Sequence, residues 1–111
     1  MRLPVTAWVS ISHRISGVLL FIGTFVLIWL LDLSLASPEG FERAQQWLAA
    51  PLMKILLWIV LVALIYHTLA GIRHIIMDFG LGESMEGGVR SSYLVIALSV
   101  ILALVAGVWL W

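Results

Sequence analysis

Three long runs without a formal charge dominate this chain: Ile15 to Leu31, Ile55 to Ile72, and Ser91 to Trp111. In the second, His67 is the one group that titrates near neutrality. Each run approaches the roughly 20 residues that a helix needs to cross about 30 Å of hydrocarbon. Backbone in lipid must satisfy its own hydrogen bonds, and runs of this length exceed the roughly 10 residues of a tilted barrel strand, which leaves helices. The chain is 63% hydrophobic and 11% charged, whereas a soluble domain needs about 25% charged residues. The expectation is an all-α membrane protein: one domain over residues 1–111, with spans near 8–35, 51–77 and 90–111.

Local signals place the ends. The first helix is expected to start near Thr6, after Pro4, and the second near Pro51, since proline is tolerated in a first turn. The first apolar run is too long for the core of a cleaved signal peptide, so it is expected to be retained. Ser37 and Pro38 form an N-cap and N1 pair, and Phe41, Ala44 and Leu48 recur at helical spacing. This predicts a short interfacial helix between the first and second transmembrane helices. Gly80, Gly82, Gly87 and Gly88 mark Gly80 to Ser91 as the second loop. Arg2, Arg14, Arg73 and Arg90 flank one side, against Arg43 and Lys54 on the other, which puts the N-terminus in the cytoplasm. Trp8, Trp29, Trp47, Trp109 and Trp111 fall near helix ends, where indole rings anchor at headgroup level. Ser99, Ala103 and Gly107 form a ladder of small residues suited to close helix packing in lipid.

The absence of cysteine removes disulfides, iron-sulfur ligation and thiol nucleophiles, so any metal chemistry falls to histidine. Net charge is zero, with no basic stripe, which excludes a nucleic-acid surface. Ionisable groups inside a span are costly and mark functional sites by default. His13, Arg14, His67, Arg73, His74 and Asp78 are therefore the residues to explain.

Ser10 and Arg14 stand four apart and present a hydroxyl and a guanidinium on one helix face. Two roles are open: holding a carbonyl oxygen, or an arginine snorkelling to the interface beside a serine bonded to its own backbone. His67 lies about 15 Å inside the second span from its Met77 end. It is either a core histidine bonded to a neighbouring helix or a haem-iron ligand. Gly71, one turn on, leaves room for a flat macrocycle or for a packed helix, and His74 and Asp78 continue the same face. His13 and Arg14 suit haem propionates, a guanidinium matching a carboxylate in bidentate fashion. A transporter or proton relay is the alternative class, but it needs polar groups through the whole depth, and the outer half is nearly bare.

Ser10-Ile-Ser-His13-Arg14-Ile-Ser16 resembles the S-x-x-H-R-x-[ST] signature of the succinate dehydrogenase cytochrome b subunit family. His67-Thr-Leu-Ala-Gly71-Ile-Arg73-His74-Ile-Ile-Met-Asp78-Phe-Gly80 resembles the second signature of that family at every fixed position. The resemblance runs from Arg2 to Trp111 and includes Ser37-Pro38-Glu39-Gly40-Phe41. One departure is the short stretch before the first helix, without the family's usual Arg-Pro pair.

The resemblance implies a membrane anchor of a bacterial inner-membrane complex II. His67 would be an axial ligand of haem b, with the second ligand from a companion membrane subunit and Gly71 beside the ring. His13 and Arg14 would lie near the propionates, and Ser10 and Arg14 would line a ubiquinone site. His74 and Asp78 would give polar support. Iron-sulfur and flavoprotein subunits would dock on the cytoplasmic side.

Overall fold

A computed structural model describes residues 5–81 and 85–111. These form four helices: α1 (Val5–Ala36), α2 (Pro38–Ala49), α3 (Pro51–Asp78) and α4 (Met85–Leu110). No strand occurs among the described residues. Pro4 and Gly82 lie outside them. Helices α1, α3 and α4 are each long and apolar enough to cross a membrane, and α2 is the short helix expected after the first span.

Helix α3 packs against both α1 and α4, and α2 folds back on α1. The contacts run antiparallel. Gly17 of α1 faces His67 of α3, while Gly23, further along α1, faces Val60, earlier on α3. Likewise Trp58 bonds Ala103 of α4, while Arg73 bonds Ser91.

Small residues form the interior: Ala63, Ala70, Ala103, Ala106, Ser92 and Ser99 are buried, while Phe21, Phe25, Leu104 and Val108 are exposed. Lipid is as apolar as leucine, so exposing large apolar side chains carries no penalty there, and close backbone approach drives packing instead. The Ser99, Ala103, Gly107 ladder serves that purpose. Ser99 and Ala103 are buried, and a Cβ at Gly107 would sit 3.2 Å from the Trp58 indole nitrogen.

Helix α2 starts as its sequence predicts. Ser37 is the N-cap, its hydroxyl accepting from the Gly40 N–H at 2.9 Å, and Pro38 occupies the first turn. Gly40 and Ala44 are buried, whereas Phe41 and Leu48 are exposed, the division suited to an interfacial helix. A Cβ at Gly40 would collide with the Leu33 carbonyl oxygen. The two helices therefore touch backbone to backbone.

The second loop is shorter than expected. Helix α3 ends in a Schellman turn, with Gly80 at φ +83°, its N–H bonded to Met77 O at 2.9 Å and Leu81 N–H to Ile76 O at 3.3 Å. Helix α4 already begins at Met85, so Gly87, Gly88, Arg90 and Ser91 are helical rather than loop. Glycine disfavours helix by about 1 kcal/mol against alanine, but local serine hydroxyls and one tertiary bond from Arg73 oppose this. The buried Gly88 carbonyl accepts the hydroxyls of Ser91 and Ser92 at 3.0 and 2.9 Å and Nη2 of Arg73 at 3.4 Å. Glu86 and Arg90 pair one turn apart at 2.6 Å.

Candidate functional site

His13 on α1 and His67 on α3 turn inward at the same depth and stack, with ring centroids 4.2 Å apart and planes 9° from parallel. Each histidine has a glycine one turn further along its own helix. An ideal Cβ at Gly17 would lie 3.3 Å from His67 Cε1, and one at Gly71 would lie 3.4 Å from His13 Nε2. Each imidazole thus covers the other helix's glycine. The space that Gly71 leaves is taken by the His13 ring.

Hydrogen bonds fix the pair. The Ser16 hydroxyl donates to the His13 carbonyl at 2.7 Å and stands 3.1 Å from Nδ1 of His67. That nitrogen is also 3.3 Å from the His13 carbonyl. Next to it, the Tyr66 hydroxyl donates to the Val9 carbonyl at 3.1 Å, and Tyr66 packs on the buried cluster of Val9, Ala70 and Val95. Nε2 of His67 has no hydrogen-bond partner among the described residues.

Arg14 follows His13 directly, so a helical step of about 100° turns it outward. Ser10 and Arg14 are both exposed, and neither side chain makes a hydrogen bond or ion pair among the described residues. His74 and Asp78 pair at 3.7 Å, both largely exposed. They lie about 10 Å and about 16 Å beyond His67 along α3, so they are not part of the stacked pair. The structure therefore joins His13, His67 and Gly71, places Ser10 and Arg14 together on the outer face, and sets His74 and Asp78 apart.

Gly17 and Tyr66 were not singled out by sequence, and Ser16 entered only as the last fixed position of the first signature, without a role of its own. A signal for Gly17 was present: His-x-x-x-Gly occurs twice, as His13 to Gly17 and His67 to Gly71. Trp58 was also missed. It lies inside a span, where its indole N–H needs an acceptor, and it donates to the Ala103 carbonyl at 2.8 Å.

The donor set fits one axial position of a haem iron. Metal-bound histidine holds its second ring nitrogen through a hydrogen bond, as Nδ1 of His67 is held here, while Nε2 makes no hydrogen bond among the described residues. Stacked rings present their nitrogens side by side rather than in line across a plane, so His13 cannot face His67 through a porphyrin. The cavity beside Ser16, lined also by Ser12, Trp58 and Tyr66, holds about 260 Å³, below the roughly 300–1,000 Å³ of small-molecule pockets. A macrocycle would lie against the outer surface of the chain.

Fold and site together define an integral membrane protein of three apolar spans with a stacked histidine pair held between its first and third helices. Residues 1–106 match the family model described as succinate dehydrogenase/fumarate reductase transmembrane subunit. The chain is 42% identical over 109 residues to the succinate dehydrogenase cytochrome b556 subunit of Coxiella burnetii, covering 97% of this chain and 87% of that one. It is 39% identical over 106 residues to the subunit of that name from Paracoccus denitrificans, covering 92% and 78%. The chain belongs to the succinate dehydrogenase/fumarate reductase transmembrane subunit family. It is a multi-pass membrane-anchor subunit of succinate dehydrogenase, taking part in that enzyme's activity only with its other subunits.

Proposed function

We propose that this anchor binds haem b jointly with a companion membrane subunit and forms one wall of the site where ubiquinone is reduced. The observation that carries this reading is His67, with Nδ1 held by Ser16 and Nε2 unpartnered. The companion subunit would supply a further iron ligand. Gly71 and Gly17 allow the two histidines to share one narrow interhelical space, and Arg14, beside His13, is available to propionate carboxylates. Bound haem supplies one-electron redox capacity at a potential set by its ligands and burial.

Reduction of ubiquinone to ubiquinol takes two electrons and two protons. Electrons arrive from succinate oxidation in the flavoprotein through the iron-sulfur subunit on the cytoplasmic side. The Ser10 hydroxyl donates to a quinone carbonyl oxygen, and the Arg14 guanidinium stabilises the negative charge that develops there. His74 and Asp78, exposed at the end of α3, give polar support. The bias of basic residues supports a cytoplasmic position for this end and the N-terminus, in a bacterial inner membrane.

The test is made on the purified complex. A haem b spectrum is expected, and Arg14→Leu or Ser10→Ala should lower quinone reduction about 100- to 1,000-fold, the scale of a lost charge-stabilising donor, while succinate oxidation by an artificial acceptor continues. Full quinone turnover in both variants would refute the quinone site.

A further inference from the structure

We propose that Ser16 is the positioning residue of His67, selecting the tautomer that leaves Nε2 as an electron-pair donor and strengthening that donor. This rests on the haem-ligand reading above. A serine hydroxyl carries one proton, and the shorter contact, 2.7 Å to the His13 carbonyl, takes it. At the 3.1 Å contact the Ser16 oxygen can therefore only accept, and the Nδ1–H of His67 donates to it. The proton is committed to Nδ1, and Nε2 keeps its lone pair.

The relay is anchored at both ends. Ser16 is 5% exposed, so water does not compete for its oxygen, and the carbonyl that orients it belongs to His13, whose ring stacks on His67. Donation from Nδ1–H raises the basicity of the opposite nitrogen, which favours ferric over ferrous iron and lowers the reduction potential. The His13 carbonyl, 3.3 Å from Nδ1, is the remaining acceptor when Ser16 is removed. It is longer than the serine contact.

The experiment is a potentiometric titration of haem in the assembled complex carrying Ser16→Ala, Ser16→Cys or Ser16→Thr. Removing such an outer partner typically costs 10- to 100-fold in metal affinity. A tenfold loss borne by the ferric form alone raises a one-electron potential by about 59 mV. Ser16→Ala is expected to raise the potential, Ser16→Cys, nearly isosteric but a weak acceptor, to raise it too, and Ser16→Thr to restore it. If Ser16→Ala does not assemble, Ser16→Cys decides. Wild-type potential and full haem content in the alanine variant, or in the cysteine variant where alanine fails, overturn the role of Ser16. A wild-type complex without haem, or a His67→Leu complex that keeps it, would overturn the ligand reading itself.

Discussion

The imidazole of His67 lies flat against that of His13, 4.2 Å between centroids, and each ring covers the glycine one turn beyond the other. The pair sets both the depth and the spacing at which α1 and α3 meet. The two rings stack, and Ser16 contacts Nδ1 of His67. Nε2 of His67 makes no hydrogen bond among the described residues.

Closer to the other face, α1 and α3 meet at Gly23, where a Cβ would come within 2.9 Å of both Val60 methyl groups. Overpacking of this kind costs about 1–3 kcal/mol. Gly23→Ala is expected to lower the thermal midpoint of the purified complex, and Val60→Ala in the same chain to recover most of it. Equal losses with and without the second change would place the strain elsewhere.

Trp58 joins α3 to α4 through its 2.8 Å bond to the Ala103 carbonyl. Trp58→Phe keeps most of the ring and removes the donor, at an expected cost of about 0.5–1.5 kcal/mol. Thermal denaturation of the complex measures it.

Arg73 reaches across to α4 with Nε on the Ser91 hydroxyl at 2.9 Å and Nη2 on the Gly88 carbonyl at 3.4 Å. A lysine keeps the charge but lacks the planar fork. Arg73→Lys is expected to speed hydrogen exchange in the first turns of α4. Ser91→Ala should do the same, and the double variant should add little, because one network is lost in each case.

The three spans were legible because hydrocarbon thickness imposes a length that few other structures demand, and Ile15 to Leu31 meets it by composition alone. The start of α2 was legible in Ser37-Pro38 because an N-cap is a local event. The start of α4 was not. Gly87 and Gly88 signal a loop locally, and only Arg73, arriving from α3, shows why Gly88 stays helical. His67 stood out as an ionisable group within lipid, but its partner Ser16 lies on another helix, in a register that no single-helix pattern contains. The outward aim of Arg14 follows from the inward aim of His13, the residue before it.

The central claim, that His67 is the one haem-iron ligand from this chain, is tested most directly by haem quantification in the purified complex carrying His67→Leu or His13→Leu. The ligand assignment requires haem to be lost with His67→Leu and retained with His13→Leu, with succinate oxidation by an artificial acceptor continuing in both. Undiminished haem in the His67→Leu complex would contradict it.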